Sequence, residues 1–304
     1  MLQRGAVSHP SLNTLLRNRA QSGRLARRCP RLGAAGDLCQ RLARQGLYLA
    51  EGCLRRLPCG QRGPSAADLS ERAMSMPPCF ADRREAGLYL GRRLAELGFG
   101  AAQLGQPALV LALPRGGVPV AFEVVRALDA QLDVLLVRKI GAAGYPELAL
   151  GAVVEGDAGG GGPHTVVNND PWARRAVESG SFDAERGRQL DEIARRQQRY
   201  RGGAPVPARA GRTVIVVDDG VATGATMRAA LESVRMAGAA RVVAATPVGS
   251  GEGLASLSAA ADEVICLNTP PSFGAVGAFY LDFSQTSDEE ALALLRAAAA
   301  PPAR

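Results

Sequence analysis

Lysine is nearly missing from this 304-residue chain: Lys139 is the single one among 36 basic side chains. Such a bias fits a GC-rich coding sequence, so the abundance of arginine is not in itself a sign of phosphate contacts. Histidine is almost as scarce. His9 and His164 stand alone in the sequence, and His164 reads as a surface turn residue rather than a ligand or base. The lone tryptophan, Trp172, reads as packing. Six cysteines are present, but no pair has the C-x-x-C spacing of a zinc site or redox dithiol. Four of them (Cys29, Cys39, Cys53 and Cys59) fall in the first 75 residues, and Cys79 with Cys266 suggests no disulfide framework. A reducing cytoplasm is the expected compartment. No stretch approaches the roughly 18 consecutive apolar residues of a membrane span, and no secretory h-region follows Met1. A soluble protein is expected.

What is plentiful is positive charge, +7 overall with a pI near 9.5. Its location removes the implied link to nucleic acid. Residues 1–75 hold 13 arginines against 4 acids, so the remainder carries 23 basic against 25 acidic groups and a charge of −2. Those first 75 residues have no sustained helical or strand period, and Pro10, Pro30, Pro58 and Pro64 interrupt them. Three readings are open: a disordered basic tail, an organelle transit peptide, or translated upstream DNA ahead of a start at Met74 or Met76. The abrupt change of charge at Met76 favours the third, and it divides the chain into a leader at 1–75 and a folded domain at 76–304.

Beyond Phe80 the pattern is orderly. Ala86, Leu90, Leu94 and Leu97 recur at helical spacing from Arg84 to Leu97, with Asp82 placed to cap the start. Ala108 to Leu113 is an apolar run of strand length that ends in Pro114-Arg115-Gly116-Gly117, and a helical pattern resumes from Val118 to Leu128. Leu132 to Val137 and Leu148 to Val154 are further strand-like runs, separated by Arg138-Lys139 and a Gly/Ala/Pro-rich loop at 141–146. Glycines 159 to 162 mark an exposed turn. Asp183 to Tyr200 reads as a charged helix closed at Gly202-Gly203. On it, Arg195, Arg196, Arg199 and Arg201 read as a solvated face rather than a nucleic-acid contact. Thr213 to Val217 has the continuous apolar character of a buried parallel strand. A helix at Ala225 to Met236, a strand at Val242 to Thr246, a short helix near Glu252 to Ala260, a strand at Glu263 to Leu267 and a helix at Asp288 to Ala299 follow. This alternation predicts an α/β fold built on a mostly parallel, doubly wound sheet.

In such sheets ligands bind beyond the carboxyl ends of the strands. Asp218 and Asp219 stand at such an end, and the next residues, Ala222-Thr223-Gly224-Ala225-Thr226, open a helix whose first N–H groups have no internal partner. Carboxylates suit ribose hydroxyls, and helix amides with the Thr223 and Thr226 hydroxyls suit a phosphate. An Asp-Asp-Gly turn after a strand is the plainer alternative. The four apolar residues before it and the Thr-Gly-x-Thr after it favour a phosphoribosyl or nucleotide site.

Residues 214–226 resemble the phosphoribosyl pyrophosphate signature of type I phosphoribosyltransferases. The resemblance extends over about residues 80–290. It looks closest to a bacterial group with a Pro-Arg-Gly-Gly-Val-Pro-Val segment, matched here by Pro114 to Val120, and with further matches at Arg138 to Ile140, Pro146 to Leu148 and Tyr280 to Phe283. Gly220 and Ala222 depart from the better-known salvage enzymes, and one phosphate-loop hydroxyl is missing.

The resemblance implies a sheet with a small hood of N- and C-terminal segments, and transfer of ribose 5-phosphate to a nitrogen acceptor with release of diphosphate. It implies that Ala222, Thr223, Gly224, Ala225 and Thr226 grip the 5-phosphate. Asp218 and Asp219 would hold the ribose hydroxyls directly or through Mg²⁺. Arg115, Gly116 and Gly117 would cradle the diphosphate, as two adjacent glycines and an arginine can, although a plain strand-to-helix turn would look the same. Arg138 and Lys139, read as the end of a strand at the same sheet edge, would neutralise the leaving group; Lys139 as a solvated surface charge is the alternative. Gly141 to Glu147 resembles the mobile loop that excludes water. The implied partners are phosphoribosyl pyrophosphate and an unidentified acceptor, with a nucleobase expected to stack on Phe273, Phe279 or Tyr280 of the hood. Membrane and nucleic acid are not implied, and a homodimer is compatible. A non-catalytic regulator binding phosphoribosyl pyrophosphate or a nucleotide is the competing function.

Overall fold

The computed structural model describes residues 79–157 and 162–299. The leader read at 1–75 and most of the glycine turn at 159–162 lie outside the described residues. Five parallel strands form the central sheet in the order β2-β1-β6-β7-β8: β1 Leu109–Ala112, β2 Gln131–Val134, β6 Thr213–Val217, β7 Arg241–Val248 and β8 Glu263–Asn268. Apolar runs become central strands because both sheet faces are covered. Along β6, Ile215 and Val217 face one core with Val110, Ala112, Val243 and Ala245, while Val214 and Val216 face the other with Leu109, Leu111, Val242 and Ala244. The period-two alternation of Cβ directions sends neighbours to opposite layers.

Helices α1 (Arg83–Glu96), α3 (Gly117–Leu128) and α8 (Asp288–Ala299) supply Leu90, Leu94, Val120, Val124 and Ala291 to the first core. Helix α6 (Ala225–Met236) supplies Met227, Ala230, Leu231 and Val234 to the second. Asp82 caps α1 by accepting from the Glu85 N–H at 2.8 Å. Short helices α2 (Ala101–Leu104) and α7 (Gly251–Ala255) complete the layers with α4 (Pro171–Glu178) and α5 (Ser181–Arg201). The fold class is that expected.

One element departs from the reading. The apolar run at Leu132 to Val137 is not one strand. Parallel pairing with β1 ends at Val134, and β3 (Val137–Ala142) opens a separate antiparallel sheet with β4 (Tyr145–Val154) and β5 (His164–Val167). Uniform hydrophobicity hides the break, because Leu135 and Leu136 are both buried but in opposite cores. A polar cluster marks it. Arg201 donates from Nε to Asp133 (3.0 Å), from Nη1 to Glu155 (2.7 Å) and from Nη2 to the Val134 carbonyl (2.7 Å). The Leu136 N–H donates to the same Glu155 carboxylate at 3.0 Å. The Arg201 side chain is therefore only 6% exposed, and the expectation of a solvated face fails for it, although Arg195 keeps to an exposed i,i+3 pair with Glu192.

Two smaller readings are also corrected. His164 begins strand β5, opposite Val154, rather than sitting in a turn. Trp172 is 61% exposed rather than packed, because Asp170 caps α4 and Pro171 starts it, which turns the second helical residue outward.

The first described residues pair with the segment at 279–281. The Phe80 N–H donates to the Phe279 carbonyl, and the Leu281 N–H to the Phe80 carbonyl, each at 2.8 Å. Phe80 packs its ring against Tyr89 and Tyr280. This is the hood expected from N- and C-terminal segments.

Candidate phosphoribosyl site

β1 and β6 are neighbours, with Ala112 opposite Val217, so the loops that leave them lie side by side at their carboxyl ends. From β1 comes Pro114-Arg115-Gly116, with a cis peptide between Pro114 and Arg115, and α3 starts at Gly117. From β6 come Asp218 and Asp219. The two loops touch through glycine: a Cβ at Gly116 would overlap the Asp219 carboxylate, and one at Gly117 would overlap the Val217 carbonyl. Gly116 is therefore required for close approach as well as for its amide.

Asp218 is half-buried, and its Oδ1 accepts from the Asp219 N–H at 2.9 Å. Burial, with the neighbouring Asp219 charge second, pushes its carboxyl well above the usual range. Burial also raises Asp219, against the opposing pull of Arg83. Arg83, at the first turn of α1, donates from Nε to Asp219 Oδ2 at 2.8 Å and from Nη1 to the Ser284 carbonyl at 2.7 Å. Its guanidinium lies 3.9 Å from the centre of the Phe283 ring. The hood bonds to the same turn, since the Tyr280 hydroxyl donates to the Asp219 carbonyl at 2.6 Å.

Next along the chain, Val221 is buried and pairs with Gly249, which leaves Ala222 and Thr223 exposed above the sheet. Gly224 takes φ 77° to turn the chain into α6. The first bond of α6 runs from the Arg228 N–H to the Gly224 carbonyl, so the amides of Ala225, Thr226 and Met227 have no helical acceptor and suit an anion. The segment after β7 braces this loop: Ser250 Oγ donates to the Ala222 carbonyl, and Ser256 Oγ to the Thr223 carbonyl at 3.4 Å.

Beside these loops is an open pocket of about 410 Å³, bordered by Arg83, Arg115, Arg196, Asp219, Gln285 and Thr286 among others. The structure thus brings Arg115, Gly116, Gly117, Asp218 and Asp219 together, with Ala222 to Thr226 on the adjoining turn. Arg138 and Lys139 are elsewhere. They belong to β3 of the antiparallel sheet, not to the end of a parallel strand: Arg138 donates to Gln189 Oε1 at 2.9 Å, and Lys139 is exposed. Neither borders the pocket. The hood aromatics are spoken for. Phe273 and Phe279 stack on each other with centroids 5.6 Å apart, and Tyr280 is buried. Arg83, Arg196, Ser250, Ser256, Gln285 and Thr286 were not singled out as site residues from sequence, since arginine is common throughout the chain and the two serines carry no motif.

The donor set fits Mg²⁺ in a limited way. Among the described residues no group of three or more His, Cys, Asp or Glu side chains could hold a metal. Asp218 and Asp219 alone would supply protein oxygens. That matches an ion that keeps waters and relies on substrate phosphates.

A sequence model of the phosphoribosyl transferase domain matches residues 90–284, and the chain belongs to that family. Two curated proteins from Mycobacterium tuberculosis strains CDC 1551 / Oshkosh and ATCC 25618 / H37Rv, each described as "Putative phosphoribosyl transferase", are 45% identical over 216 residues. The match covers 71% of this chain and 46% of theirs. The chain therefore spans about half the length of the curated relatives it matches. The crystal structure of TT1426 from Thermus thermophilus is similar at 50% identity and a TM-score of 0.59, over 71% of this chain and 97% of that one. Among the described residues no helix is long and apolar enough to cross a membrane.

Proposed function

We propose that this chain transfers ribose 5-phosphate from phosphoribosyl pyrophosphate to a nitrogen acceptor, a nucleobase being the first class to test, and releases diphosphate. The observation that carries the reading is the contact of Gly116 with the Asp219 carboxylate. It sets an anion-binding turn directly against the ribose-binding acids.

The 5-phosphate is gripped by the amides at the start of α6 and by the Thr223 and Thr226 hydroxyls. Asp218 and Asp219 accept from the ribose hydroxyls. Arg115 and the Gly116 amide stabilise charge as the bond from the anomeric carbon to the diphosphate oxygen breaks, and the acceptor nitrogen bonds to that carbon with inversion. The Gly117 N–H is already given to the Leu113 carbonyl at 3.0 Å, so Gly117 serves the close approach to β6 instead. The leaving group already carries the activation, so the residues contribute positioning and preorganised charge. Asp218 and Asp219 would hold Mg²⁺, which would supply neutralisation of the diphosphate. The β3–β4 hairpin, with Gly144 at its turn and Arg138 and Lys139 along its first strand, closes over the donor to exclude water. The working unit is residues 76–304, in the cytoplasm, with the leader outside it.

A non-catalytic regulator is the second reading, favoured by the position of Lys139 away from the pocket. A screen of nucleobases and amines with phosphoribosyl pyrophosphate and Mg²⁺, detecting diphosphate, separates the two. Turnover with any acceptor supports the transferase, while donor binding without turnover supports the regulator. Asp218→Asn combined with Asp219→Asn should remove donor binding in calorimetry under either reading, and retained binding would show that the site lies elsewhere.

A further inference from the structure

The pocket beside Asp219 is rich in hydrogen-bond donors and poor in free acceptors. Arg83 uses Nε on Asp219 and Nη1 on the Ser284 carbonyl, and its Nη2 donates to no described residue. Arg196, reaching in from α5, uses Nε on Glu192 Oε1 at 2.7 Å and leaves both Nη groups without a described acceptor. The Arg115 side chain makes neither a hydrogen bond nor an ion pair with a described residue; Asp288, whose carboxyl feels its charge, is engaged by the Tyr200 hydroxyl at 2.7 Å and by Arg199 at 2.9 Å. Among the described residues the one carboxylate on the pocket wall, Asp219, is already paired with Arg83. Glu192 also accepts from Nε and Nη2 of Arg195.

This wall suits one kind of acceptor. A neutral nucleobase presents N–H donors alternating with lone pairs and needs protein acceptors facing it; apart from the paired Asp219, the side-chain acceptors among the lining residues are Gln285 and Thr286. It also gains from an aromatic platform. The only aromatic side chain that the described residues place on the pocket, Phe283, is covered by the Arg83 guanidinium on one side and lies 5.1 Å from Tyr280. A carboxylate presents acceptors alone and matches a guanidinium fork in geometry as well as charge.

Resting on the transferase reading, we propose that the acceptor is a nitrogen nucleophile bearing a carboxylate, held by the Nη groups of Arg196 and by Arg83 Nη2. Arg115 and the Gly116 amide serve the donor diphosphate. The acceptor carboxylate therefore lies on the α1 and α5 side of the pocket, with its nucleophilic nitrogen toward Asp219 and the anomeric carbon.

Two matched pairs of probes test this, orotate against uracil and nicotinate against nicotinamide, since each pair shares a ring and differs in its carboxylate. They are titrated by calorimetry into the full chain, both alone and saturated with ribose 5-phosphate and Mg²⁺-diphosphate. The expected result is at least about tenfold tighter binding of one carboxylate probe over its neutral partner. Arg196→Gln should reduce that probe to the affinity of its partner, and Arg196→Lys should keep part of the preference, since an ammonium retains charge without the fork. Equal binding within both pairs, a preference for the neutral probes, no binding of either carboxylate, or a preference that survives in a folded Arg196→Gln protein would overturn the inference. Failure of the underlying reading is separately visible, because wild-type protein with phosphoribosyl pyrophosphate and Mg²⁺ would then release no diphosphate with any acceptor, carboxylated or neutral.

Discussion

A methyl group at position 116 would overlap the Asp219 carboxylate, so Gly116→Ala must push that carboxylate or the whole turn aside. Donor affinity should fall by at least about tenfold, equivalent to ~1.4 kcal/mol, and calorimetric titration of phosphoribosyl pyrophosphate measures it. Asp218 makes a different prediction. Its folded-state carboxyl is raised by burial and by Asp219, so the group costs stability wherever the unfolded chain would be ionised. The penalty is absent below the ordinary value of 3.8 and develops as pH rises above it. Asp218→Asn should therefore raise Tm at neutral pH while abolishing donor binding, and the gain should vanish in melts run below pH 3.8. The acids and glycines at these positions were legible because their residue types are scarce enough in that order to mean something. Arg83 was not: one arginine among dozens carries no mark, and its role comes from a contact 136 positions away in sequence.

Elements were legible where a period or a cap announced them. The helix at Ala225 to Met236 and the helix at Asp288 to Ala299 fall where the pattern put them. The split of Leu132 to Val137 between two sheets was hidden, because what divides it is the ion cluster of Arg201, Asp133 and Glu155 rather than a change in hydrophobicity. That cluster ties the end of α5 to the ends of β2 and β4. Arg201→Ala would leave the fully buried Glu155 without its guanidinium, a loss of about 3–5 kcal/mol. The corresponding drop in Tm is roughly 6–20 °C for a domain of this size. Combining it with Glu155→Gln should recover part of the loss, and thermal melts of the pair measure the coupling. The same cluster steers Arg196, because one helix carries both residues, so the melt of Arg201→Ala bears on the pocket as well as on the sheet junction.

At the scale of the molecule, the charge balance makes a prediction. A chain that starts at Met76 has lost the +9 leader and carries −2. It should bind phosphoribosyl pyrophosphate with the affinity of the full chain and give no shift of duplex DNA in a gel. Weaker donor binding by the shorter chain would count the leader as part of the site. The hood joins distant parts of the sequence, with Phe80 paired to Tyr280 and Arg83 bonded to Ser284. During synthesis the loops that carry Gly116 and Asp219 emerge from the ribosome well before residues 280–286, so for that interval Asp219 is without the strap that closes over it. The donor site is thus among the last parts of the protein to be finished. Under the proposed function, a cell supplied with phosphoribosyl pyrophosphate would favour complete chains over truncated ones, with the ligand acting as an inspector of the finished site.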